Sequence, residues 1–254
     1  MQHLGDAPPD QPPPDGPTRP SRWGRLPRPC ALCGQWDRAD LCQDCQRRFA
    51  DNPVDRCPRC PRCALPSASC QPCGACLQAP PPFHHTVALA DYGFPWDRLI
   101  ARFKFRQQPE LARLLADALV RVLQRQSDLP AAQWVLPVPL SPARLAERGY
   151  NQAWELARRV AARQRLQARG DWLLRLRDTP HQVGLDRQAR AANLRDAMWV
   201  PPEGQRALAG HEIALVDDVM TTGGTAAAAA QALLAAGAAG VQVWVLARTP
   251  APGA

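Results

Sequence analysis

Between residues 86 and 247, short apolar runs alternate with longer stretches in which apolar side chains recur every three or four positions. The runs TVALADY (86–92), WVLPVPL (134–140), WLLRL (172–176), IALVDD (213–218) and VQVWVLA (241–247) have the length and character of strands. Residues 110–126, 151–166 and the alanine-rich 226–237, which ends on Gly237, carry helical spacing. From Arg175 to Met198 the chain is polar, with a short helix expected near the end. Strands alternating with helices predict an α/β protein with a parallel sheet covered on both faces. In such sheets ligands sit at the carboxyl ends of the strands.

Ahead of this pattern lie two segments of different character. Residues 1–27 are proline-rich and have too little apolar surface to offset the entropy of ordering, so they are expected to be a disordered tail. All ten cysteines fall between Cys30 and Cys76, and the QAPPPF stretch then punctuates the chain. The expected division is a tail over 1–27, a cysteine-rich unit over 28–79 and an α/β domain over 80–254. The chain has 254 residues and a formal net charge of +8, which favours anionic partners without choosing among nucleotides, sugar phosphates, nucleic acid and lipid. No apolar run approaches the ~20 residues that span a bilayer, and the first 29 residues lack a signal-peptide core, so a cytoplasmic location is expected.

A reducing compartment turns the cysteines from disulfide partners into metal ligands. Cys30-x2-Cys33 and Cys42-x2-Cys45 form one double pair, and Cys60-x2-Cys63 and Cys73-x2-Cys76 form another. Two intervening residues let both thiolates of a pair reach one tetrahedral Zn2+, so the chain has ligands for two structural sites. Cys57 and Cys70 each stand three residues before another cysteine, so the registers Cys57/Cys60 and Cys70/Cys73 compete with the second double pair. So short a region, poor in large apolar residues, takes its folding free energy from the metal, on the order of 10 kcal/mol per site. Chelation is therefore expected to unfold this unit and leave residues 80–254 folded.

The stretch IALVDDVMTTGGT (213–225) sets four apolar residues against two carboxylates and then builds a turn nearly free of bulky side chains. Charge beside a buried strand is costly unless compensated, so Asp217 and Asp218 are expected at the strand's exit, facing a ligand. Carboxylates accept hydrogen bonds from vicinal hydroxyls and hold Mg2+ directly or through water. Thr221, Thr222, Gly223, Gly224 and Thr225 offer hydroxyls and successive backbone N–H groups at a helix start, a phosphate cradle. Acid pair and cradle together read as a ribose 5-phosphate site. A nucleotide-hydrolase loop needs Gly-Lys-Ser/Thr, and the only lysine here is Lys104. A phosphorelay receiver lacks the Gly-Gly turn and needs a lysine downstream.

This stretch resembles the phosphoribosyl-pyrophosphate (PRPP) signature of the type I phosphoribosyltransferases. VLPVPLSPARLAERGYNQAWELA, DTPHQVGLDRQARAANLRDA and the closing VQVWVLART, behind the cysteine block, resemble the ComF/GntX family of competence-associated proteins over about residues 30–249. The resemblance implies a type I phosphoribosyltransferase fold behind a double zinc ribbon, with Cys60/Cys63 and Cys73/Cys76 as the second set of ligands. It implies that Thr221 to Thr225 hold the 5-phosphate, and that Asp217 and Asp218 hold the ribose hydroxyls and water-bound Mg2+. It gives Arg144, Arg148 and Arg177 to pyrophosphate, and Thr179, Gln182, Arg190 and Asn193 to a mobile loop that closes over the site. Lys104, in RFKFR, also occupies a family-like position, and reads equally as one charge on a basic, half-buried helix face. Some purine-salvage relatives carry aspartate where Thr221 stands. Threonine cannot serve as a general base near neutral pH, which argues against a salvage assignment.

Two functions follow from the resemblance. One is a Mg2+-dependent phosphoribosyltransferase using PRPP and an acceptor, a nitrogenous base by analogy, that no residue identifies. The other is a single-stranded DNA-handling factor in DNA uptake, working with DNA-uptake proteins and using the fold for binding rather than turnover.

Overall fold

The computed structural model describes residues 26–50, 60, 62–65, 71–105, 108–176 and 198–249. Arg177, Thr179, Gln182, Arg190, Asn193, Cys57 and Cys70, and the expected tail up to residue 25, lie outside the described residues.

The cysteine-rich unit is built twice on one plan. In the first half, strands β1 (Arg28–Pro29) and β2 (Trp36–Asp37) pair antiparallel around Cys30 and Cys33, and Cys42 precedes the short helix α1 (Gln43–Cys45), which carries Cys45. In the second half Cys73 precedes α2 (Gly74–Gln78), which carries Cys76, and Cys42 and Cys73 are both extended ahead of their helices. The turn after each leading pair closes by the same hydrogen bond, Gly34 N to Cys30 O at 3.0 Å and Ala64 N to Cys60 O at 2.9 Å. Both turn residues are left-handed, with φ of 76° at Gly34 and 56° at Ala64. Glycine adopts that conformation freely, whereas alanine gives up roughly 1 kcal/mol.

The α/β part is a five-stranded sheet. Its strands are β3 (His85–Asp91), β4 (Trp134–Pro137), β5 (Gln167–Ala168), β8 (Glu212–Met220) and β9 (Gly240–Arg248), in the order β3-β9-β8-β4-β5. Every adjacent pair is parallel. This is the α/β architecture expected from the sequence. The run 213–216 is apolar throughout because both of its faces are covered: Ala214 and Val216 join one core cluster, and Ile213 and Leu215 join the other. The first cluster is filled from α3 (Trp96–Phe105), α4 (Leu111–Leu123) and α6 (Gln152–Gln164). The second lies beneath α7 (Pro202–Leu208) and α8 (Gly224–Ala235). Helix α5 (Pro142–Arg148) joins β4 to α6. Among the described residues no helix is long and apolar enough to cross a membrane.

Two elements differ from the expected pattern. WLLRL supplies only β6 (Leu174–Arg175), which pairs antiparallel with β7 (Met198–Trp199) outside the main sheet. The fifth strand is instead Gln167–Ala168, a two-residue edge too short and too polar to show a strand pattern. The cysteine unit also shares its cores with the sheet rather than standing apart. Cys30, Cys42 and Cys45 are buried in the cluster that holds Phe103 and Leu115, and Ala64 is buried with Leu215 and Val243. Arg113 pairs with Asp40 at 2.6 Å, and Thr86 Oγ1 donates to Arg62 O at 2.6 Å.

Candidate functional site

The topology itself singles out one crevice. From β4 the chain leaves through α6, on the first cluster's face, toward β5; from neighbouring β8 it leaves through α8, on the opposite face, toward β9. Adjacent parallel strands whose connections part in opposite directions open a cleft beyond their carboxyl ends. The two acids and the glycine turn lie on the β8 side of that cleft.

Strand β8 runs to Met220, two residues beyond the expected end, because β9 is equally long and pairs with Val219 and Met220. Strand β4 stops at Pro137, opposite Val216, so the acids lie where β8 has lost its neighbour on one side. Successive residues of a strand face opposite sides of the sheet, and the two acids separate accordingly. Asp218 is buried on the first cluster's side, where Lys104 of α3 meets its Oδ1 at 2.8 Å. Asp217 is half-buried on the other side, toward α8, and accepts the backbone N–H of Asp218 at 2.8 Å. Burial, and then the charge of Asp218, push the Asp217 carboxyl up to about 7 from its ordinary 3.8. The pair is thus one carboxylate matched to a cation and one that resists ionisation.

Thr221 and Thr222 are exposed, and Gly223, Gly224 and Thr225 are half-buried at the start of α8. Gly223 caps that helix at φ 82°, a conformation that a side chain would strain, and it offers no side-chain acceptor to the first-turn N–H groups. Gly224 N donates to Thr222 Oγ1 at 3.4 Å. The turn therefore presents amide hydrogens and hydroxyls to solvent with the positive end of a three-turn helix behind them.

The arginines expected at pyrophosphate have mixed placements. Arg144, in the first turn of α5, is half-buried, and its backbone N–H goes to the fully buried capping residue Ser141. Arg148 donates Nη1 to Gln152 Oε1 at 3.1 Å and lies 5.5 Å from the ring of Phe105, which is 70% exposed. RGYNQ is above all a helix junction. Gly149 ends α5 at φ 76°, Tyr150 OH donates to Phe103 O, and Asn151 caps α6 by accepting from Ala153 N at 2.9 Å and Trp154 N at 3.3 Å. Asn151 Nδ2 also donates to Val138 O at 3.2 Å, fixing α6 to the end of β4. Asn151→Ala is expected to cost about 1–2 kcal/mol in urea unfolding, and Asn151→Asp, which keeps the cap acceptor but cannot donate to Val138 O, to recover only part of it.

Lys104 and Arg248 are the cations at the site that sequence reasoning left without a role. A lone lysine among thirty arginines was the available signal for the first. The signal for the second was a charge ending the most apolar strand; Arg248 is 6% exposed.

The eight described cysteines fall into two groups, Cys30/Cys33/Cys42/Cys45 and Cys60/Cys63/Cys73/Cys76, each with its ligand atoms within 4.8 Å of one another. Cys33 and Cys42 sulfurs are 3.6 Å apart, and Cys63 and Cys73 sulfurs 3.7 Å. Four sulfurs at ~2.3 Å from one tetrahedral ion stand ~3.8 Å apart, so the spacing fits zinc and is far from a disulfide. Burial works against ionisation of Cys30 and Cys60, yet backbone N–H donors outweigh it and bring them to about 6 and about 7. Burial holds Cys45 and Cys76 well above the ordinary thiol. A divalent cation among them would hold all four as thiolates.

Fold and site define a class: a doubly wound α/β protein with an acid pair and a glycine turn at its switch point, and twin four-cysteine clusters that fit a double zinc ribbon. No protein-family model matches the chain. It is 36% identical over 233 residues to DNA utilization protein YhgH of Escherichia coli, covering 88% of this chain and 98% of that protein. It is 33% identical over 211 residues to competence protein F of Haemophilus influenzae, covering 82% and 90%. The chain belongs to the ComF/GntX family of these proteins. Among solved structures, adenine phosphoribosyltransferase of Leishmania tarentolae aligns over 56% of this chain and 58% of its own, at 17% identity and a TM-score of 0.34.

Proposed function

We propose that the protein is a PRPP-dependent phosphoribosyltransferase, with residues 80–254 as the transferase domain and residues 28–79 as a ribbon holding one zinc ion per cluster. The observation that carries this reading is the glycine turn beside an acid pair at the switch point. Thr221 to Thr225 bind the 5-phosphate through N–H and hydroxyl donors, and Asp217, on the same face as α8, takes the ribose hydroxyls. Asp218, oriented by Lys104, faces the pyrophosphate side, where Arg144 and Arg148 add positive charge; Arg177, expected there by resemblance, lies outside the described residues. Asp217 and Asp218 would hold Mg2+, which would supply charge neutralisation at the pyrophosphate group. Fixed cationic donors there act on charge that develops during the reaction, and each is worth roughly 3 kcal/mol. The test is calorimetric titration of Mg2+ and PRPP, followed by a pyrophosphate-release screen against purines, pyrimidines and DNA. Absence of PRPP binding overturns the reading, and binding without release against any acceptor makes the protein a sensor.

The raised Asp217 carboxyl sets the pH dependence. Hydroxyl donors and Mg2+ select the ionised form, so PRPP affinity is expected to rise severalfold from pH 6 to pH 8, with up to one proton released on binding. Calorimetry in buffers of different ionisation enthalpy measures that proton. In the free protein the sign is opposite. A carboxyl raised above 3.8 contributes stability at low pH that is lost as pH climbs through about 7.

A second reading, single-stranded DNA handling, is favoured by the names of the relatives and by two aromatics topped with arginine, the exposed Phe94 and the half-buried Phe49. Arg98 lies 5.1 Å from the ring of Phe94, and Arg48 5.3 Å from that of Phe49. Such pairs stack bases and meet phosphate.

A further inference from the structure

Arg248 ends β9 with its guanidinium buried between the second cysteine cluster and the glycine turn. Its Nε donates to Cys63 O at 2.9 Å. Its Nη1 faces the carbonyls of Met220 at 3.0 Å, Thr249 at 3.1 Å and Thr221. Met220 and Thr221 are the residues from which the turn departs, and Cys63 is a ligand of the second cluster. One rigid, planar cation thus ties the first residue of the candidate phosphate turn to a metal-site backbone 185 positions before the arginine itself.

We propose that Arg248 is a positioning residue that couples metal occupancy of the Cys60/Cys63/Cys73/Cys76 cluster to the conformation of the turn 221–225. Four thiolates around a divalent ion carry two net negative charges, and a buried guanidinium beside them is their natural counter-charge. Loaded, the cluster fixes Cys63 and, through it, the guanidinium that holds the carbonyls of Met220 and Thr221. Emptied, it frees Cys63 and removes the charge that keeps Arg248 buried, so the turn loses its anchor. Among the described residues the first cluster has no such link. It meets the sheet through Arg102 Nη1 to Ala31 O at 3.2 Å and through Arg113 and Asp40, away from the turn. Outer groups that orient metal ligands commonly change metal affinity by about 10–100-fold.

The inference rests on the zinc reading of the cluster and is independent of PRPP. Metal content of the full chain is measured first, and zinc release to a chromophoric chelator is then followed for the parent, Arg248→Gln and Arg248→Lys. Hydrogen exchange of amides 221–225 is recorded in parallel. Arg248→Gln is expected to speed release of one of two equivalents at least ~10-fold and to raise exchange in the turn. Arg248→Lys, which keeps the charge but not the planar fork, is expected to fall between, and guards against a glutamine variant that fails to fold. Cys60→Ser, which empties the second cluster alone, is expected to raise exchange at 221–225 with Arg248 intact. Parent-like release of both equivalents, or turn exchange indifferent to Arg248 and to Cys60, overturns the coupling. A chain that purifies without metal overturns the zinc reading, and the effect of Arg248→Gln on turn exchange then decides whether the arginine anchors the turn.

Discussion

Changing Asp217 and Asp218 together to asparagine is expected to weaken Mg2+-dependent PRPP binding by at least ~100-fold while the fold survives. A hydrogen bond to a charged group contributes about 1.5–3 kcal/mol, so losing two costs about 3–6 kcal/mol, or roughly two to four decades in affinity. The single variants separate the roles, because the side chains lie on opposite faces of β8. Asp218→Asn leaves the Lys104 ammonium, 19% exposed, without its carboxylate, and is expected to lower stability by about 1–3 kcal/mol as well as affinity. Asp217→Asn removes a carboxyl whose ionisation already opposes folding, so it is expected to leave stability at pH 8 unchanged or raised while binding falls. Calorimetry with urea unfolding at pH 8 reads both quantities. A double variant that binds PRPP within threefold of the parent removes the acids from the site.

Emptying the cysteine clusters carries the largest expected cost to stability. Structural zinc contributes about 10 kcal/mol or more in small domains, comparable with the 5–15 kcal/mol that holds a whole domain folded. The sequence alone pointed to a unit that unfolds by itself and leaves residues 80–254 intact. The shared cores change that expectation. Cys30, Cys42 and Cys45 cover the side chains of α3 and α4, and Ala64 is buried in the cluster on the other face. Calorimetric scans with and without chelator are expected to show the α/β transition itself falling by 10 °C or more, on the basis that ~2–4 °C is lost per kcal/mol in a chain of this size. An unshifted transition for residues 80–254 beside a vanished N-terminal one would restore the independent-unit picture.

What could be read in advance was whatever depends on neighbours in sequence. IALV declared a strand covered on both faces because four consecutive apolar residues have no solvent side, and helix α6 declared itself by its spacing. The second double pair of cysteines is the set brought together among the described residues, as the family pattern implies. Gln167–Ala168 escaped because an edge strand of two residues is made by its partner β4, not by its own composition. RGYNQ pointed to anion chemistry by resemblance, yet Gly149, Tyr150 and Asn151 serve the junction of α5 and α6, so one motif carries structural and candidate binding residues together.

The sequence by itself determined the pieces: two thiol clusters, a parallel α/β sheet, and an acid pair followed by a glycine turn. Each is encoded by ligand spacing, apolar periodicity or backbone freedom within about a dozen residues. Only the tertiary structure decided which cation meets which partner, giving Asp218 to Lys104, turning Asp217 to the other face, and laying Arg248 between Cys63 and Thr221. Local pattern fixes which face a side chain leaves from. What waits on that face is fixed by strand order and by helices packed from distant parts of the chain.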